Sequence, residues 1–209
     1  MIEVLRSPKP AVLQRKGSAW LAELNRDVSP AAREKITNKY RHPEIKTALD
    51  TMFHGKCAYC ESKIRHVSDP HIEHYRPKLT FPQLTFAWDN LLPACGICNS
   101  TTYKGANFPE ANNGGPYVNP CIDAPDDHFQ FVYDPIAKLA SVYGKTARGR
   151  ITERDLGLNR ADLRTYRSNQ IEKLVCIARL ARNDPEAQRL LDEANWSNAE
   201  YVAFARHCL

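Results

Sequence analysis

The sequence predicts an α+β fold in which a small central segment is embedded in helices from both ends of the chain. Three observations predict it. Apolar residues recur at helical spacing before Gly55 and again from Leu163 onwards. Between Lys56 and Tyr117 the chain is rich in Cys, His, Asn, Pro and Gly, and its apolar runs are short. His128 to Tyr133 alternates apolar and polar residues as a strand does. The expected division is a helical region over 1–55, the central core over 56–117, and a hairpin with basic helices over 118–209, packed as one unit.

The N-terminal residues up to about 15 read as irregular and basic, and a first helix is expected through Ser18 to Leu24. Ser29-Pro30 starts a second helix, with Ser as cap and Pro in the first turn, running to about Tyr40. His42-Pro43 restarts the pattern, and Ile45, Ala48, Leu49, Met52 and Phe53 share one face before Gly55 ends it. A strand from Lys138 to Tyr143 is expected to pair with His128 to Tyr133 across Asp134-Pro135. Leu163, Tyr166, Ile171, Leu174 and Ala178 form a helical stripe, with Arg164, Arg167 and Arg179 outside it. Asp184-Pro185 starts another helix, and Ser197-x-x-Glu200 reads as a capping box for the last.

The chain has 209 residues, 43% hydrophobic and 25% charged, which suits one domain with a sizeable core or a small core with helical flanks. No apolar run approaches the roughly 20 residues of a membrane helix. The first residues lack the pattern of a signal peptide, so the expected compartment is the cytoplasm. The net charge of +5 leans weakly towards an acidic partner such as nucleic acid. Lys138 to Arg182 concentrates it, with eleven Lys/Arg against four Asp/Glu. These helices suit DNA or an acidic protein, which the sequence does not rank, or plain solvation.

Of seven cysteines, four form two C-x-x-C pairs, Cys57 with Cys60 and Cys95 with Cys98, separated by 34 residues. Each such turn points two sulfurs into one pocket, and two turns supply the tetrahedron of thiolates that a structural zinc prefers. A core this poor in apolar residues needs such a tie. A redox dithiol would need a βαβ setting that this neighbourhood lacks. His54 and His66 flank the first pair, but four thiolates already complete a tetrahedron. Cys176 reads as a buried thiol in an apolar helix.

Between and after the pairs run Glu73-His74-Tyr75-Arg76-Pro77-Lys78, Asp89-Asn90-Leu91, and Cys98-Asn99 followed by Lys104. This order resembles the HNH endonuclease family over about fifty residues. A closer resemblance takes in Asn119-Pro120-Cys121, Asp127-His128-Phe129 and Leu156-Gly157-Leu158-Asn159. It is to the HNH nuclease subunit (PtuB-like) of Septu-type and retron-linked anti-phage systems, which works beside an ATPase.

The resemblance implies a zinc-stabilised ββα-metal core, with the core's helix starting at Asn99, and a metal-dependent phosphodiester hydrolase. In that reading His74 is the general base, since a neutral imidazole can take a proton from water near pH 7. Glu73 and Asn99 hold a catalytic Mg²⁺ or Mn²⁺, which acts as Lewis acid and charge clamp. Glu73 and His74 point to opposite sides of an extended segment, so a bulge is needed to bring Glu73 to the metal. Asn90 holds the loop and orients His74. Arg76, Lys78 and Lys104 are candidates for phosphate contact. His71, two residues after Asp69, is either a site residue or a surface histidine. The expected substrate is nucleic acid, DNA before RNA, with an ATPase as partner and no membrane. The competing reading is a non-catalytic zinc module that binds nucleic acid or protein.

Overall fold

The computed structural model describes residues 1–66 and 68–209. Helix α1 (Ala11–Leu24) begins directly after Pro10, earlier than the sequence pattern suggests, because Val12 and Leu13 already pack into a core. Helix α2 (Pro30–Thr37) starts as expected, with Ser29 Oγ accepting from the Ala32 amide, and a 3₁₀ turn (Asn38–Arg41) brings Tyr40 inward. Helix α3 (Pro43–Phe53) buries Ile45, Leu49 and Phe53 and ends on two left-handed residues, His54 and Gly55.

Two short strands, β1 (His71–His74) and β2 (Leu91–Ala94), pair antiparallel in unbroken register, with Glu73 opposite Leu92 and His74 opposite Leu91. Opposed residues share a face and neighbours along a strand do not. One face, carrying Ile72 and Leu91, packs on α1 and α3 in a core with Trp20, Tyr40, Phe86 and Trp88. The other, carrying Leu92 and Ala94, packs on the cysteines and the C-terminal half. The sheet therefore separates two cores, and Glu73 and His74 point into different ones.

The C-terminal half follows the expected order. Helix α4 (Pro125–His128) leads into a hairpin of β3 (Phe129–Asp134) and β4 (Leu139–Gly144), whose turn is closed by Asp134 Oδ1 accepting from the amides of Ile136 and Ala137. Helices α5 (Ala147–Asp155), α6 (Ala161–Ala181), α7 (Pro185–Ala194) and α8 (Val202–Cys208) complete the chain. Three expectations fail here. Arg167 is buried, donating to the Ala140 and Leu158 carbonyls and to Asn159 Oδ1, and desolvation lowers its pKa to about 10. Cys176 is exposed. Ser197 and Glu200 do not cap a helix; they turn back on the first cysteine pair.

That return forms a clasp. Lys56 Nζ donates to the carbonyls of Ser197 (2.6 Å) and Ala199 (2.7 Å), Glu200 Oε1 accepts from the Lys63 amide, Tyr201 and Ser62 share a hydroxyl contact, and His54 meets Ser197. No helix is long and apolar enough to cross a membrane among the described residues.

Candidate active site

The two cysteine pairs converge as their spacing predicts. The ligand atoms of Cys57, Cys60, Cys95 and Cys98 lie within 4.8 Å of one another, and Cys60 Sγ is 3.9 Å from Cys95 Sγ. Zinc–sulfur bonds of about 2.3 Å at tetrahedral angles separate sulfurs by about 3.8 Å, so the pocket fits a zinc ion. Hydrogen bonds from the other three thiols pull the Cys60 thiol well below its ordinary range. All seven cysteines are free of disulfides. The amide of Ala58 donates to the Pro93 carbonyl, tying the first knuckle to β2.

Arg160, which the sequence motifs did not single out, also reaches this centre. Its Nη1 lies 3.5 Å from Cys98 Sγ and its guanidinium covers the Tyr103 ring. Burial opposes its charge, but the Cys98 and Cys60 sulfurs outweigh that and raise its pKa. The usable signal was Gly157, three residues earlier. Its φ is +55°, and a Cβ there would fall 2.0 Å from the Tyr103 ring.

Asn90 holds the loop after β1, as its place in the pattern implies. Its Oδ1 accepts from the Arg76 amide (2.7 Å), and its Nδ2 donates to the carbonyls of Arg76 and Leu84. It does not orient His74; the Thr85 carbonyl does, 3.0 Å from Nε2, with the Tyr40 ring edge-on at 4.6 Å. A proton on Nε2 leaves the Nδ1 lone pair free. His74 is 5% exposed, and burial lowers its pKa to about 4, so the imidazole is neutral at pH 7.

Glu73 and Lys104 meet in the opposite core. The ladder has no bulge, contrary to the expectation, because Lys104, 0% exposed, forms an ion pair with Glu73 and donates to the His74 carbonyl (3.1 Å). Burial raises the Glu73 pKa, and the Lys104 charge pulls the other way. Lys104 is thus a brace between the second knuckle and β1, and its ammonium has no path to a phosphate. Arg76 stacks on Phe81 and Phe108, and Lys78 lies over Tyr40 beside His74.

Asn99 does not start a helix. Residues 99–104 form successive turns, with Asn99 N donating to Cys95 O and Lys104 N to Cys98 O. The Asn99 carboxamide is half-buried, with its Nδ2 3.4 Å from His71 Nδ1. These two residues border a cavity of about 280 Å³, with Tyr40, Arg41, Lys46 and Asp69 on its other walls.

This framework, two knuckles flanking a strand pair and an ordered histidine, coincides with a family match. Residues 57–105 match the model for HNH endonuclease. The segment is therefore similar to HNH endonuclease domains. The chain is also similar to two curated proteins called "Septu protein PtuB". One, from Bacillus mycoides (strain KBAB4), is 32% identical and aligns with 63% of this chain and 55% of its own length. The other, from Bacillus thuringiensis, is 36% identical and aligns with 59% of this chain and 44% of its own length. The chain thus spans about half the length of these relatives. The matched segment holds His74, Asn90, Asn99 and Lys104, and the wider similarity extends past it.

Proposed function

We propose that this protein is a metal-dependent endonuclease that hydrolyses phosphodiester bonds of nucleic acid, DNA before RNA, and that it serves an anti-phage defence system beside an ATPase partner. The observation that carries the nuclease reading is His74: a neutral imidazole, ordered by the Thr85 carbonyl, within a segment that matches HNH endonucleases. The defence role and the partner rest on the similarity to the two Septu proteins. A cytoplasmic setting follows from that role.

In this reading His74 Nδ1 accepts the proton of the attacking water. A basicity near 4 makes it a weak base, and a bound phosphodiester anion would raise it towards its ordinary value. Asn90 fixes the backbone next to His74 through three hydrogen bonds. Asn99 offers a carboxamide oxygen to a divalent cation of the Mg²⁺ or Mn²⁺ class. That cation would supply Lewis acidity and balance the charge of the phosphate and the leaving oxygen. Glu73, the expected acidic ligand, orders β1 through Lys104. Lys78, over the Tyr40 ring beside His74, and the exposed Arg76, stacked on Phe81 and Phe108, suit phosphate contact. The four cysteines hold a structural zinc that takes no part in the chemistry.

The test is cleavage of plasmid DNA and of DNA and RNA strands with Mg²⁺ or Mn²⁺, with and without an ATPase partner, by this protein and its His74→Ala variant. Cleavage by the parent and its loss in the variant support the reading. Equal cleavage by both removes His74 as base. A second reading, a zinc module that binds without cutting, draws on the burial of His74 and the engagement of Glu73. Binding with no cleavage under any of these conditions would favour it.

A further inference from the structure

We propose that Arg160 is a positioning residue of the structural zinc centre: its guanidinium donates to the Cys98 thiolate, offsets the negative charge of the four sulfurs and damps their reactivity. Arg160 lies outside the segment that matches HNH endonucleases, so the C-terminal half completes a centre whose ligands it does not supply. The proposal concerns the zinc and goes beyond the cleavage reading.

A zinc ion held by four thiolates carries a net charge of about −2. Cys57, Cys60 and Cys98 are buried, so water solvates little of that charge. Arg160 Nη1 stands 3.5 Å from Cys98 Sγ and meets the Leu156 and Gly157 carbonyls at 3.5 and 3.2 Å. No carboxylate is among these partners, and Nε is buried with no hydrogen-bond partner among the described residues. A guanidinium that leaves one donor unmatched in the interior is held by charge more than by hydrogen bonds. The sulfurs of Cys98, Cys60 and Cys95 are groups that favour its charge.

The turn before α6 is built to place this side chain. Gly157 takes a left-handed conformation against the Tyr103 ring, and the Arg160 amide donates to its carbonyl (3.0 Å). Asn159 Nδ2 donates to the Val142 carbonyl (2.6 Å) and to Glu153 Oε1 (2.9 Å), while Arg167 donates to the Leu158 carbonyl and Asn159 Oδ1. The Tyr103 ring, on the turns after the second knuckle, lies 5.6 Å from the guanidinium. The arginine is thus fixed before it meets the sulfur. An N–H donor on a thiolate draws electron density from it, so the sulfur becomes a weaker nucleophile while it still holds the metal. Cys95 is the half-buried ligand, and it leaves the cluster open to reagents on one side.

The test uses the full chain loaded with zinc, and separately with Co²⁺ as a spectroscopic probe of the sulfurs. Arg160→Met should shift the sulfur-to-cobalt charge-transfer band to lower energy. Zinc release driven by iodoacetamide, followed with a colorimetric chelator, should run at least about tenfold faster than in the parent. Arg160→Lys, which keeps the charge, should lie between the two on both readouts. Ile171→Ala is the structural control, since Ile171 is 0% exposed on α6 about three turns further along. It should lower the denaturation midpoint and leave both the band and the release rate at their parental values. Arg160→Gln carries the same test should Arg160→Met not fold. A parental band and release rate in the neutral Arg160 variant would overturn the proposal. So would Ile171→Ala moving both readouts as far, because the effect would then be a loosened α6.

Discussion

Lys104 shows how one residue can serve a site without touching it. Its ammonium is buried, with the Glu73 carboxylate and the His74 carbonyl as partners. Removing one member of a buried pair leaves the other charged and dry, so Lys104→Ala should destabilise the fold by about 3–5 kcal/mol in denaturant titration. Lys104→Met, paired with Glu73→Gln, should recover much of that loss. Nothing in the sequence distinguished this lysine from one that reaches a phosphate. Spacing places a lysine near the second knuckle, but burial depends on which core that knuckle packs against. His74 was legible because residue type, neighbours and order converge on it. His71, the first residue of β1, was legible only as a candidate, since the turns after the second knuckle bring Asn99 alongside it.

At the scale of elements, the cysteine knuckles and the straps around them hold β1 in place. Cys95→Ser should lose about one zinc per chain together with cooperative unfolding, read by elemental analysis and circular dichroism; zinc retained at full occupancy would remove Cys95 from the ligand set. A second strap joins the loop after Tyr117 to α5. Arg148 donates to both Asp123 oxygens (2.8 and 2.6 Å) and to the Pro116 and Tyr117 carbonyls. Partial burial raises the Asp123 pKa, but Arg148 and the Asn119 amide overcome it and hold it below its ordinary value. A carboxylate depressed on folding adds stability above its unfolded pKa of about 4 and loses it as pH falls through the folded value. Arg148→Met should therefore cost about 1 kcal/mol at pH 7, after allowance for solvent screening, and the gap from the parent should narrow as pH falls below the ordinary carboxylate range and Asp123 is protonated. A constant gap down to pH 2 would mean that the strap works through packing. The pattern of helices and the hairpin was readable from caps and periodicity: Ser29, Asp184 and the alternation over 129–133 all act locally. The capping box at Ser197 was misread because its side chains found partners about 140 residues away, and no local signal encodes that.

For the whole molecule, the two-stranded sheet between two cores is the organising feature. The helices before Gly55 cover the His74 face, and the C-terminal half covers the cysteine face. The fold class followed from composition because a segment without its own apolar core must borrow from its flanks. How the flanks divide the two faces between them could not follow, since that depends on long-range packing.

The clasp of Lys56 and Lys63 by residues 197–200 also has a consequence in time. A ribosome delivers the chain from its N-terminus, so the cysteines and His74 emerge long before the segment that fastens the first knuckle. A product of interrupted translation carries every chemical group of the site yet lacks its fastening. Assembly of the centre is thereby tied to the delivery of residues 197–200, about a hundred positions after the second knuckle, a safeguard that matters for any protein able to cut the nucleic acid of the cell that makes it.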